Sequence, residues 1–234
     1  MNVEDAKTLI HEHISDFCLS ADQFVGVVIK KNSLGRNHCG IVFKDKDKSK
    51  LIHLKKHCKL ELLDVDDLSA DRYLWIESKI HPKRQRMVTG MCRRISERHM
   101  EMKIPFGLNY HATRFNEKTG EVVLGSGEYG LTCATFVLAV YDSCGFNLLD
   151  LDSWPTRPDD AKWHKDFIRT MEYSDKFGEY GVGNAHIEKM KKSVACARFR
   201  PEEVAAGTMF KDNELPVSFD SVLPCSNAIA SSLS

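Results

Sequence analysis

Three side chains in this 234-residue sequence stand where their chemistry would matter: one cysteine and two histidines. Cys133 lies in Gly130-Leu131-Thr132-Cys133-Ala134-Thr135-Phe136-Val137-Leu138-Ala139-Val140-Tyr141, which runs on to Cys144-Gly145. Apolar residues at 136, 137 and 140 predict a short buried helix with Thr132 as N-cap and Gly145 as C′. Cys133 then falls in the first turn, where unpaired backbone N–H groups and partial positive charge favour an anion. Its thiolate should form more easily than the ordinary thiol pKa of about 8.5 implies. The same N–H groups suit the oxyanion of an acyl-transfer intermediate. A buried structural cysteine is the plainer explanation of such a residue taken alone, so the rest of the chain has to supply a base.

The elements that would position that base lie far upstream. Phe24-Val25-Gly26-Val27-Val28-Ile29 is a β-rich apolar run, and Ser33 to Asn37 follows as a loop. His38-Cys39-Gly40-Ile41-Val42-Phe43-Lys44 and Leu51-Ile52-His53-Leu54-Lys55 are two further strands across the polar break Asp45 to Lys50, and so short a link makes an antiparallel hairpin. By period two, His53 shares a face with Leu51 and Lys55, while Ile52 and Leu54 face the other way. Either histidine alone is explained by a satisfied neutral imidazole in a strand. Together they offer what a thiol nucleophile needs: one imidazole to take and return the proton, and a second polar group to fix the first in its tautomer.

The order His38-Cys39-Gly40-Ile41-Val42-Phe43, turn, Leu51-Ile52-His53-Leu54, then Leu131-Thr132-Cys133-Ala134-Thr135-Phe136-Val137 resembles the circularly permuted papain-like hydrolases. These are the permuted branch of the NlpC-type peptidases, which includes the lecithin:retinol acyltransferase group. The resemblance covers residues 24 to 145. It implies an α+β permuted papain-like fold, an antiparallel sheet packed against the nucleophile helix. It also implies Cys133 as nucleophile, His38 as general base and acid, and His53 as the orienting third member, with no cofactor and no metal. The acyltransferase group commonly carries Asn-Cys-Glu-His-Phe at the nucleophile, where this chain has Thr132-Cys133-Ala134-Thr135-Phe136. That difference favours a cysteine peptidase or amidase over lipid acyl transfer. The expected substrate is a peptide, an isopeptide or an N-acyl compound.

Composition sets the remaining bounds. Lysine plus arginine, 33, equals aspartate plus glutamate, 33. No nucleic-acid partner is therefore expected, although Lys79 to Arg98 is locally basic. The acidic start of the chain does not read as a secretory signal, and no apolar run approaches a membrane span. With eight scattered cysteines, these features predict free thiols and a cytoplasmic location. Residues 1–223 read as one catalytic domain, with a helical insertion or lid around 150–193 in which Trp163 and Phe167 share one side, and 224–234 as a disordered serine-rich tail. An amphipathic helix is expected over 4 to 18. A second is expected over Arg84 to Met102 with Met87, Met91, Ile95 and His99 inward, and a last strand over Ala195 to Arg200. Gly125 to Gly130 is expected to give a tight or mobile approach to the nucleophile helix, with Tyr110 and His111 as lesser pocket candidates. Two other functions compete: a zinc site from Cys39, His53, His57 and Cys58, and a papain-like module that only binds, its thiol idle. Asp64-Val65-Asp66-Asp67 lacks the ligand spacing of a calcium loop and reads as a solvated turn.

Overall fold

The computed structural model describes all residues except 69–72, 111–112, 125–129, 177–182, 195 and 234. Its elements are α1 (Val3–Lys7), β1 (Ile10–His11), α2 (Ser15–Leu19), β2 (Val25–Lys31), β3 (Asn37–Asp45), β4 (Lys48–Lys56), β5 (Lys59–Asp64), β6 (Leu74–Glu77), α3 (Pro82–Glu97), β7 (Arg114–Phe115), β8 (Val122–Val123), α4 (Cys133–Asp142), α5 (Pro158–Lys176), α6 (Asn184–Lys192), α7 (Pro201–Gly207) and α8 (Phe219–Ser232). The architecture is α+β, with a six-stranded antiparallel sheet in the order β1-β6-β2-β3-β4-β5.

The centre of the sheet is a meander dictated by alternating apolar strands and two tight turns. Lys46 between β3 and β4, and Cys58 between β4 and β5, both take positive φ, at 57° and 54°. Such left-handed residues let two-residue connections match the twist of antiparallel strands. Period-two alternation then sorts the side chains. Val27, Ile29, Cys39, Ile41, Phe43, Ile52, Leu54 and Ile76 face the main core, where α3, α4, α7 and α8 pack. Val28, Val42, Leu51 and Trp75 face the opposite way, covered by Ile14 and Phe17 of the α2 segment and by Val65 and Leu68 of a short 3-10 turn. Phe136, Val137, Val140 and Tyr141 of α4 are fully buried. At about 1.5–3 kcal/mol for each large apolar side chain, that burial fixes the helix against the sheet.

Several sequence expectations are corrected. Residues 4 to 18 are two short helices separated by β1, because Ile10 and His11 add to the sheet edge beside Ile76 and Trp75. In α3, Met91 and Ile95 point inward as expected, joined by Val88 and Cys92, whereas Met87 is exposed and the helix ends at Glu97, before His99. No strand forms over the described part of 195–200. The tail expected to be disordered from 224 onward is mostly the second half of α8, whose Cys225, Ala228 and Ile229 are buried in the main core. Serine richness does not prevent the helix there: Ser226 is itself buried, and the hydroxyls of Ser231 and Ser232 donate to the helix carbonyls of Asn227 and Ala228. His111, most of the Gly125 to Gly130 approach and most of the Gly178 to Gly183 loop lie outside the described residues.

Candidate active site

Thr132 and Thr135 close a reciprocal cap at the start of α4. Thr135 N–H donates to Thr132 Oγ1 (3.2 Å), and Thr132 N–H donates to Thr135 Oγ1 (2.7 Å). The cap fixes Cys133 as the first helical residue and occupies the amide of Thr135, leaving the first-turn amides of Cys133 and Ala134 without helical acceptors. The approach to the helix is equally constrained. Leu131 N–H donates to Pro105 O (2.9 Å) and Gly107 N–H to Leu131 O (3.3 Å). A Cβ on Gly130 would lie 1.9 Å from Pro105 O, so only glycine permits this contact. The strap 105–107 therefore carries Phe106 to the same cavity as Cys133.

On the sheet side, the β3–β4 ladder runs from Ile41↔Ile52 to Asp45↔Lys48, whereas β2 holds β3 as far as Asn37. The two strands thus part before His38, which allows a group from the α4 face to meet an imidazole whose strand parity is opposite. Gly40 fills the gap with backbone alone: a Cβ there would lie 2.7 Å from His53 Cβ and 2.8 Å from Leu51 Cδ1. His53 leans across it to His38, Nε2 of His38 to Nδ1 of His53 being 2.6 Å. On the far side, His53 Nε2 meets Glu61 Oε2 at 3.1 Å, the two residues being directly paired across β4 and β5. Lys55 Nζ donates to Glu61 Oε1 at 2.7 Å.

The carboxylate fixes every proton in this chain. Burial opposes charge on Glu61, but the Lys55 hydrogen bond and His53 outweigh it and hold its pKa below the usual carboxylate range. An ionised Glu61 only accepts, so His53 carries its proton on Nε2 and offers Nδ1 as acceptor; His38 must then donate from Nε2 and leave Nδ1 as the basic nitrogen. His53 is 4% exposed. Its burial, reinforced by the charge of His38, pushes its pKa down to about 4, which keeps it neutral at neutral pH.

Cys133 and His38 each favour the charged form of the other. A hydrogen bond from the Cys39 thiol, then the charge and hydrogen bond of His38, overcome the burial that opposes a thiolate and hold the Cys133 pKa well below the ordinary thiol value. Burial works against a charged His38 too, but the Cys133 thiolate exceeds it and raises the imidazole pKa. Cys39 is fully buried, and that burial, with its hydrogen bond to Cys133, pushes its own pKa far up, so it stays a neutral donor.

Cys133 and His38 line a cavity of about 180 Å³. Its walls come from the 32–38 segment, the end of β4, Phe106 and Leu108, the start of α4, residues 163–171 of α5, and 198–201. Trp163 and Phe167 stack with ring centroids 5.1 Å apart and planes 11° apart, on the same side of α5 as expected. Tyr110 is held elsewhere, its hydroxyl donating to the Asp142 carboxylate at the other end of α4. Cys39, His53, His57 and Cys58 do not assemble for zinc: among the described residues no group of three or more His, Cys, Asp or Glu is arranged to hold a metal ion.

The three residues singled out in the sequence thus lie together, and two polar neighbours join them that the sequence reading passed over. Glu61 alternates with Leu60 and Leu62 on the strand after His53, a signal visible once a third meander strand is assumed. Cys39 faces the main core with α4, as strand parity places it, and so meets Cys133 at the start of that helix; His38 is the residue that crosses parity. Among the described residues no helix is long and apolar enough to cross a membrane. Compared with protein-family models, curated proteins and solved structures, the chain matches none.

Proposed function

We propose that this chain is a cysteine hydrolase of amidase or peptidase type on a permuted papain-like fold. The observation that carries the reading is the continuous relay of thiol, imidazole, imidazole and carboxylate, open at its sulfur end to a cavity. The order of the meander, the nucleophile helix and the capped cysteine supports the fold reading, in line with the resemblance that the three sequence segments carry.

The chemistry follows from the protonation states. Cys133 Sγ attacks the substrate carbonyl, and the negative charge that develops on its oxygen is held by the Cys133 and Ala134 N–H groups at the positive end of α4. The His38 imidazolium gives its Nδ1 proton to the leaving nitrogen, the C–N bond breaks, and a thioester to Cys133 remains. Water then attacks the thioester, His38 takes its proton, and the released acid leaves Cys133 as thiolate and His38 as imidazolium. His53 and Glu61 hold the ring of His38 in the one tautomer that serves both steps.

Alkylation kinetics test this. All eight cysteines are free. With limiting iodoacetamide near neutral pH, Cys133 should react first, and its rate should rise through an apparent pKa below the free-thiol value of about 8.5. Labelling spread evenly over the eight cysteines, or a Cys133 rate that rises only above that value, would refute the proposed activity.

A further inference from the structure

The charges around the cavity are one-sided. Arg36, Lys55, Lys56 and Arg198 line it, and among the described residues no aspartate or glutamate does. The chain as a whole is balanced, so this sign is a local property. Lys55 is already engaged by Glu61. Arg198 is different: it is half-buried, and among the described residues no carboxylate forms an ion pair with it. Its guanidinium lies 3.9 Å from the centroid of the Trp163 ring. Burial, then the nearby Arg200, lowers its pKa to about 10; Glu202 and Asp160 act on it favourably only through space, and Arg157 opposes them. A guanidinium withdrawn from water without a counterion is unfavourable until an anion joins it, and its fork fits a carboxylate in two parallel hydrogen bonds. Beside it, Trp163, Phe167 and Phe106 form an apolar wall, with Phe106 and Phe167 centroids 5.4 Å apart.

Given the hydrolase reading, on which this inference rests, we propose that the substrate is an N-acyl amino acid whose carboxylate is held by Arg198, assisted by Arg36, with its acyl body against Trp163, Phe167 and Phe106. A cavity of about 180 Å³ suits so small a molecule better than a polymer. Its amide carbonyl is the bond offered to Cys133, and hydrolysis yields a free amino acid and a carboxylic acid. The class of reaction that supplies the substrate is therefore N-acylation of an amino acid.

Calorimetric titration of the full chain carrying Cys133→Ala, which cannot form the thioester, with N-benzoylglycine and with its neutral counterpart N-benzoylglycinamide tests the assignment without turnover. The acid should bind at least about tenfold more tightly. Arg198→Gln should remove that preference and Arg198→Lys keep part of it, because lysine retains the charge and loses the fork. Circular dichroism checks the fold of each variant. Should Arg198→Gln fail to fold, the comparison of acid with amide on the protein with Arg198 intact still decides, and Arg36→Gln should reduce the preference to a smaller degree. Equal binding of acid and amide, or no binding of either, would overturn the proposal. Tighter binding of benzyl phosphate, or of a tetrapeptide with a free C-terminus, would overturn it in favour of a phosphate head or a peptide end. Binding of N-benzoylglycine with an unreactive Cys133 would instead leave the anion site standing and remove the catalytic reading.

Discussion

Two pairs of imidazoles lie within this molecule at nearly the same spacing, and they do different things. His38 and His53 have ring centroids 4.9 Å apart at 73°, and His57 and His186 have centroids 5.1 Å apart at 61°. His53 and His57 are both buried, and both are pushed down to about 4, by burial first and by the partner imidazole second. The difference lies in what terminates each pair. His57 Nδ1 accepts from Phe106 N–H (3.1 Å), and His186 Nε2 donates to Phe106 O (2.6 Å), so both rings are spent on the backbone of one strap residue. The first pair bonds ring to ring and ends in a carboxylate on one side and a thiol on the other. Proximity and depressed basicity are common to both pairs; of the two, one alone forms a directed line of donors and acceptors that ends at a thiol.

Breaking each pair should separate these roles. The largest effect is expected at His38: His38→Gln should lower turnover of any substrate found by about 10³-fold and move the iodoacetamide profile of Cys133 toward higher pH, since the thiolate loses its cationic partner. The activity of the intact protein should fall on the acid side as Cys133 takes up a proton at its lowered pKa, and on the alkaline side as His38 loses its proton at its raised one. An unmoved alkylation profile in His38→Gln would show that the two pairs do not differ in this way. Glu61→Gln comes next, at about a hundredfold, short of the roughly 10⁴-fold known for a buried carboxylate that contacts the catalytic imidazole directly. Here one more ring intervenes, and Glu61 is partly open to water. The amide can donate as well as accept, so the tautomer of His53 is no longer enforced, and the kcat profile should show the loss while substrate binding holds. His57→Leu is expected to have the smallest effect on chemistry. It leaves the Phe106 N–H without an acceptor and should cost about 1–3 kcal/mol of stability in urea denaturation, with the pH profile of Cys133 alkylation in the folded protein unchanged.

The readable part of this site was the part encoded by local pattern. Thr132 before Cys133 and an apolar run behind it specify a capped helix whatever lies around it, and alternation in 38–44 and 51–55 specifies a hairpin. Both elements form, and His38 and His53 come together on it. What the sequence concealed depends on distant packing. His38 meets Cys133 across strand parity where β4 has left β3 after Ile41, a departure that period two does not foretell. Arg198 becomes a cavity residue through the strap, α5 and the 198–201 segment meeting, and its neighbours in sequence suggested an ordinary strand. The C-terminal helix was hidden by serines and by Pro224, which interrupts a helix in propensity yet sits inside α8, where Cys225 and Ile229 anchor it in the core. In each case a tertiary contact outweighed a correct local preference.

Gly40 has a consequence for recognising and building such sites. Since any side chain at that position would collide with His53, the unit that specifies the paired imidazoles is three residues rather than two: a histidine, a glycine two places on, and a second histidine on the returning strand. Grafting the two histidines and a helix-borne cysteine onto another hairpin would leave the rings apart unless that hairpin were also bare between them. A search for distant relatives by pattern would do better to demand His-x-Gly than to demand either histidine by itself.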